Sequence, residues 1–198
     1  MIADQRTVYL QAVATNAAGQ VGVSSSILSI YVEENENAQE DHSVPGFAGV
    51  ALFAQNVTDT EKAMKLADDM QRANAGHKTR LLIAADQEGG LVTRLGQGTQ
   101  MPGNMALGAA NDTALTAEAA RIIGTEIMDI GINMDFAPVL DVNSNPANPV
   151  IGIRSFSDDP ETVAAHGVAF MKALQETGAI ATLKHFPGHG DTDTDSHT

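Results

Sequence analysis

The segment Ala179-Ile180-Ala181-Thr182-Leu183-Lys184-His185-Phe186-Pro187-Gly188-His189-Gly190 decides the predicted fold. Its first five residues form a mostly apolar run with the character of a buried strand, and polar and glycine residues follow directly. In α/β enzymes, the loops that follow parallel strands carry the reactive groups, because the sheet fixes the ends of loops that can themselves vary. We therefore predict a strand over residues 179–186 and an active face where it ends.

Strand-like runs alternate with helical patterns along the rest of the chain from Gly46. Strands are predicted over residues 49–54, 81–85 and 133–140, and helices over 60–74, from Asp112 and from Asp159. Asp112 and Asp159 are predicted helix caps, and Pro160 fits the first helical position. Alternation with crossovers of this length implies an α/β fold with a parallel sheet.

The first 45 residues have a different pattern. Residues 7–32 alternate apolar and polar side chains around the turn signal Asn16-Ala17-Ala18-Gly19, which predicts a β-hairpin. The hairpin resembles the end of an immunoglobulin-like or fibronectin-type module, with an unrelated leader as the equal alternative. Residues 33–45 are acidic and predict a linker. The predicted division is thus 1–32, 33–45 and an α/β domain over 46–198.

Composition excludes several classes of function. The net charge of -14 argues against binding to nucleic acid or to anionic membranes. Cysteine is absent, so disulfides and a thiol nucleophile are excluded and the redox compartment stays open. The longest apolar stretch, residues 44–54, contains a proline and two glycines and is too short to span a bilayer. Neither the compartment nor the oligomeric state follows from the sequence.

The polar loop that follows Leu183 has four interpretations. It could be a solvated turn rich in Asp, Thr and Gly. Asp191, Asp193 and Asp195 match the first ligands of a calcium loop, but its glycine and glutamate are absent. A phosphate cradle lacks its Gly-Lys-Ser/Thr sequence. Finally, Asp195 and His197 lie two residues apart, so a short turn could pair them for acid/base catalysis near neutral pH.

The motifs of residues 46–198 resemble glycoside hydrolase family 3, in its β-N-acetylhexosaminidase branch. They occur in the family's order: Asp86-Gln87-Glu88-Gly89-Gly90 with Arg94, Pro102-Gly103-Asn104, the run 133–141, Val150-Ile151-Gly152 with Arg154-Ser155-Phe156, Lys184-His185-Phe186-Pro187-Gly188-His189-Gly190, and Asp195-Ser196-His197. The resemblance implies a (β/α)₈ TIM barrel. Only about four of the eight strands are predicted, and residues 46–198 are fewer than the ~250 of a typical barrel. We therefore expect a partial barrel and a fragment that is inactive by itself.

The resemblance also implies a function and a set of site residues. The function is a retaining hydrolysis that removes terminal β-linked N-acetylglucosamine from peptidoglycan or chitin fragments, without metal or organic cofactor. His197 would be the acid/base and Asp195 would orient it, while the nucleophilic aspartate lies on a later strand, beyond Thr198. The sugar would contact these residues: Asp86, Arg94, Arg154, Lys184 and His185.

Other interpretations of these residues stay open at this point. Asp86 could cap a turn, the two arginines could form surface ion pairs, and His185 could be a core histidine. Asp141 and His189 are predicted to support the site, whereas Asn104 and Asp135 receive no role. The same fold could serve a phosphorylase, since a neutral imidazole repels a phosphate acceptor less than a second carboxylate would. An inactive sugar-binding remnant is the remaining alternative.

Overall fold

The computed structural model describes residues 7–15, 21–31, 48–76 and 79–195. Strands β1 (Thr7–Thr15) and β2 (Val21–Tyr31) pair antiparallel, with Thr7 opposite Tyr31 and Thr15 opposite Val21. This pairing confirms the predicted hairpin. The predicted turn at 16–19 and the predicted linker at 33–45 lie outside the described residues.

The α/β part is built on a four-stranded parallel sheet in the order β3-β4-β5-β6. Its strands are β3 (Gly49–Leu52), β4 (Leu82–Ala85), β5 (Met134–Asp135) and β6 (Ile180–Ala181). Ala85 pairs with both Leu52 and Asp135, and Asp135 pairs in turn with Ala181. The predicted parallel sheet is confirmed, and the four described strands do not close into a barrel.

Three strands end earlier than predicted. The strand predicted to reach Ala54 stops at Leu52, since a 3₁₀ turn begins at Ala54. The strands predicted over 133–140 and 179–186 keep regular pairing for only two residues each. Pro138 lacks an amide hydrogen, which interrupts the ladder. Pairing resumes at one bridge, where Leu140 N–H donates to the Lys184 carbonyl at 2.6 Å.

The described residues form four α-helices: α1 (Thr60–Ala73), α2 (Asn104–Ala110), α3 (Thr113–Asp129) and α4 (Pro160–Glu176). The predicted caps are confirmed, because the Asp112 and Asp159 carboxylates accept hydrogen bonds from the amides of Ala114 and Thr162. The sequence did not predict α2, a helix of seven residues that ends at Asn111 in the left-handed region.

The core lies between the sheet and the helices and includes the polar pair His166 and Thr116. Buried aliphatic side chains from β4, α3 and α4, such as Ile83, Ile127 and Leu174, fill it. His166 of α4 is buried, contacts the Thr116 hydroxyl of α3 at 2.7 Å and stacks on Phe156. Burial lowers the pKa of His166, so a neutral ring ties the two helices together.

Gly108 of α2 packs against the backbone of Phe156, in the loop before α4. A Cβ at this position would overlap the Phe156 carbonyl. Gly108→Ala should therefore lower the free energy of unfolding by about 1–3 kcal/mol, although alanine is the better helix former. Urea denaturation of both forms measures the change. The matched control is Gly103→Ala, whose Cβ would approach its nearest neighbour at 3.4 Å. Equal stability of both variants would contradict the packing argument.

Candidate active site at the carboxyl ends of the strands

The predicted sugar-binding residues converge at one edge of the parallel sheet. Asp86 directly follows β4, and Lys184 follows β6 at the bridge to Val139. Arg154 ends a 3₁₀ turn, Gly152–Arg154, and its backbone carbonyl accepts a hydrogen bond from Asn104 at 2.8 Å. Residues far apart in the chain therefore meet where the strands end, as the parallel topology requires.

Asp86 lies between two cations. Its carboxylate receives the Lys184 ammonium at 2.6 Å and the Arg94 guanidinium at 3.3 Å. Burial alone would raise the pKa of Asp86, but the charges and hydrogen bonds of Lys184 and Arg94 outweigh it and lower the pKa. Asp86 is therefore an anion held by two side-chain donors, one of which, Arg94, lies in the loop that follows β4.

Glu88 contacts Lys184 as well and pairs it with a third cation, Arg154, and the sequence analysis gave Glu88 no role. Its side chain is only 2% exposed and accepts two hydrogen bonds from Arg154, at 2.8 and 3.0 Å. The same carboxylate lies 2.5 Å from the Lys184 ammonium. The hydrogen bond with Glu88 raises the pKa of Arg154. Glu88 thus links the loop after β4 to the segment that carries Arg154.

The loop from Asp86 to Leu95 is shaped by glycines and by Gln87. Gly89 and Gly90 have φ angles of 87° and 61°, a region that favours glycine. The buried Gln87 side chain accepts hydrogen bonds from the amides of Arg94, at 2.8 Å, and Leu95, at 3.2 Å. The loop is thereby closed on itself, which fixes the backbone positions of Asp86, Glu88 and Arg94 together.

A second cluster surrounds Asp141. This buried carboxylate lies 2.6 Å from His185 Nδ1 and accepts the His189 amide at 2.6 Å. The His185 side chain is 35% exposed, so it is not a core histidine. Burial would raise the pKa of Asp141, but the hydrogen bonds and charge of His185 with the His189 amide lower it overall. Asp141 therefore orients His185 and the start of the polar loop.

Two asparagines fasten the polar loop to the segment before Arg154. Asn148 donates to the His189 carbonyl at 2.6 Å and accepts the amide of Ile151 at 2.7 Å. The Asn145 amide hydrogen bonds to the Gly190 carbonyl at 3.2 Å. Asp195 is half-buried at the end of this loop, and its predicted partner His197 lies outside the described residues.

Asn104 and Asp135, which the sequence left without a role, are both buried beneath the cluster. One oxygen of each has no hydrogen-bond partner among the described residues: Asn104 Oδ1 and Asp135 Oδ2. Burial raises the pKa of Asp135 well above its ordinary value. In the sequence, Asp135 is only a polar residue within a predicted strand, and its burial and unpartnered oxygen are visible only in the structure.

The charged groups of the site are paired with one another. Lys184, Arg94 and Arg154 each contact a carboxylate, and these three cations share the two carboxylates of Asp86 and Glu88. The cluster still offers N–H donors and carboxylate acceptors side by side, the combination that hydroxyl groups need. Among the described residues, no group of three His, Asp or Glu side chains is arranged to hold a metal ion.

Acid should weaken the Asp141 cluster. The lowered pKa of Asp141 stabilises the fold above the unfolded pKa of ~3.9, and this contribution is lost as the pH falls through the folded pKa. We expect the free energy of unfolding to fall more steeply with acidification in the wild type than in Asp141→Asn, which cannot titrate. Urea denaturation at several acidic pH values measures both slopes, and parallel slopes would refute the expectation.

No helix in the described part of the chain combines the length and the apolar character needed to cross a membrane. This finding concerns only residues that the structure describes.

Comparison with known proteins links this site to one family. The family model for the glycosyl hydrolase family 3 N terminal domain matches residues 15–198. Beta-hexosaminidase A of Pseudoalteromonas piscicida is 46% identical over 157 residues, which cover 76% of this chain and 26% of the relative. Beta-hexosaminidase of Xylella fastidiosa is 36% identical over 184 residues, covering 89% of this chain and 52% of the relative. The chain thus spans between a quarter and about half of these relatives.

Solved structures agree with these relatives. A glycoside hydrolase family 3 beta-N-acetylglucosaminidase from Paenibacillus sp. str. FPU-7 superposes with a TM-score of 0.73 at 50% identity, over 76% of this chain and 29% of that one. NagZ from Neisseria gonorrhoeae, solved with N-trifluoroacetyl-D-glucosamine, gives a TM-score of 0.68 at 35% identity, over 76% and 45%. The sequence and the partial barrel together show that this chain belongs to glycoside hydrolase family 3, in which it matches the N-terminal domain.

Proposed function

We propose that the protein containing this chain is a retaining β-N-acetylhexosaminidase, which removes terminal β-linked N-acetylglucosamine from peptidoglycan or chitin fragments. The observation that carries the proposal is the continuous network Arg94–Asp86–Lys184–Glu88–Arg154 at the carboxyl ends of the strands. The family membership and the names of the relatives support it, since those relatives are called β-hexosaminidases and one structure holds a glucosamine derivative.

In this proposal the network binds the non-reducing sugar. Asp86 accepts hydrogen bonds from sugar hydroxyls, and Arg94, Arg154 and Lys184 donate to ring substituents. His185 contributes a partly exposed ring, which Asp141 holds in one orientation. Because the donors and acceptors are held by each other before the ligand binds, the side chains lose little conformational entropy on binding.

His197 and Asp195 supply the acid/base step of the proposal. His197 protonates the leaving glycosidic oxygen as an aspartate nucleophile, outside these 198 residues, attacks the anomeric carbon. His197 then removes a proton from the water that hydrolyses the covalent glycosyl-enzyme, so the anomeric configuration is retained. Asp195 orients the ring and stabilises its protonated form. The Asn145 and Asn148 contacts fix the start of the loop that leads to this pair.

Substrate comparison in the full-length protein tests the proposal. We expect an aryl β-N-acetylglucosaminide to react at least about tenfold faster than the matching β-glucoside, because a site built for the acetamido group leaves buried polar groups unpaired without it. Added phosphate should not change the rate or give a sugar 1-phosphate. Formation of that ester would make the protein a phosphorylase, and failure to cleave either glycoside would overturn the proposed function.

A further inference from the structure

Asp135 is a fully buried carboxyl that the proposed chemistry does not use. It ends β5, the strand between the one that leads to Asp86 and the one that leads to Lys184. Its Oδ1 accepts the Gln87 amide at 2.9 Å, while its Oδ2 has no hydrogen-bond partner among the residues that the structure describes. An ionised carboxylate with a buried oxygen that receives no protein donor is unfavourable, because burial removes its hydration.

Three charged groups bear on this carboxyl. Asp86 and Glu88 act from the side of β4, and Lys184 acts from the side of β6. The Lys184 ammonium is already shared between Asp86 and Glu88, at 2.6 and 2.5 Å. Burial is the largest influence on the pKa of Asp135 and favours its neutral form, while an anion there would be attracted by Lys184 and repelled by Asp86 and Glu88. A neutral Asp135 leaves the arrangement intact.

We propose that Asp135 is a positioning residue that works as a neutral carboxylic acid: it anchors the Gln87 backbone and leaves Lys184 to Asp86 and Glu88. The inference deepens the proposed function and, for its effect on sugar binding, rests on it. It does not require Asp135 to touch the sugar. Its two effects are on the loop after β4 and on the ammonium that follows β6.

The anchor reaches the predicted sugar-binding residues through Gln87. The Gln87 amide donates to Asp135, and the Gln87 side chain accepts the amides of Arg94 and Leu95. Loss of the acceptor at Asp135 would free the Gln87 backbone and, with it, the backbone of its loop neighbours Asp86, Glu88 and Arg94. The expected result is weaker substrate binding, with the chemical step less affected.

Two substitutions separate these effects. Asp135→Asn is neutral and keeps an oxygen for the Gln87 amide, whereas Asp135→Leu is similar in size and removes the acceptor. In the full-length protein we expect Asp135→Leu to raise KM about tenfold with kcat changed by less than about threefold, and Asp135→Asn to keep both near the wild-type values at neutral pH. If Asp135→Asn is as impaired as Asp135→Leu, or if Asp135→Leu has the wild-type KM, the positioning role is overturned.

The protonation state has its own readout, which needs no activity. At neutral pH, the infrared carbonyl band of a protonated carboxyl should be present in the wild type and missing from Asp135→Asn. Its absence from the wild type would overturn the neutral-acid inference. The infrared measurement remains a valid test of the inference even when Asp135→Leu does not fold. It also remains valid when the protein cleaves no N-acetylglucosaminide, and in that case only the proposed function has failed.

Stability gives a second check of the same state. A folded pKa above the unfolded value of ~3.9 means that the unfolded chain loses this proton first as the pH rises. The wild type should therefore lose stability relative to Asp135→Asn between pH ~4 and the folded pKa, and thermal melts across this range should show a growing gap in Tm. A gap that stays constant with pH would contradict the inference.

Discussion

Replacing His197 with alanine in the full-length protein should slow the cleavage of N-acetylglucosaminides with poor leaving groups by about 10²–10⁴-fold, the usual contribution of general acid catalysis. Activated aryl glycosides should lose far less in the glycosylation step, because their leaving groups need little protonation. Initial rates on N,N′-diacetylchitobiose and on a dinitrophenyl N-acetylglucosaminide, under single-turnover conditions, measure the two effects separately.

The control for this experiment is a change elsewhere in the same loop. Asp193 is exposed, so Asp193→Asn should leave the rates on both substrates close to those of the wild type. An equal loss on both substrates in His197→Ala would remove His197 from the role of acid. A loss of the same size in Asp193→Asn would attribute the effect to the loop as a whole.

Glu88→Ala should produce the largest loss of stability among single changes at the site. The substitution leaves Lys184 without one of its two carboxylates and removes both hydrogen bonds that the Arg154 guanidinium makes to Glu88. Breaking a buried ion pair from one side costs about 3–5 kcal/mol, because the remaining charge stays buried without compensation. Urea denaturation measures this loss, and a rise in KM should accompany it.

An ion pair at the surface provides the matched control. Glu118 pairs with Arg121 at 2.8 Å, and both side chains are largely exposed, at 64% and 45%. Exposed pairs contribute little to stability because water screens them. Glu118→Ala should therefore change the free energy of unfolding much less than Glu88→Ala. Similar values for the two variants would mean that Glu88 does not hold the buried network together.

Much of the fold could be predicted from local patterns. The caps at Asp112 and Asp159 and the buried strand before Asp86 follow from local chemistry, so they are visible in a single sequence. Strand ends are not local, because they depend on which partner residues can donate. Pro138 stops the regular ladder after Asp135, and the sequence prediction extended it to residue 140. Helix α2 was missed because it has only seven residues and no side-chain cap at its start.

The candidate site was predicted unevenly. Lys184 and Asp86 stand directly after strand-like runs, and the parallel topology brings them within 2.6 Å. Glu88 lies inside a quoted motif, but its bridge to Lys184 and Arg154 depends on loop geometry that only the structure shows. Asp135 looks like one polar residue in an apolar strand. Its importance follows from burial and from neighbours distant in sequence.

The most direct test of the proposed activity is a proton NMR time course of an aryl β-N-acetylglucosaminide, in which the only sugar product comes from the cleaved bond, with the full-length protein in phosphate-free buffer. We expect free N-acetylglucosamine to appear first as the β-anomer and then to mutarotate, since the proposed mechanism retains configuration. Initial appearance of the α-anomer would contradict the double-displacement mechanism. An unchanged glycoside would contradict the assignment of β-N-acetylhexosaminidase activity itself.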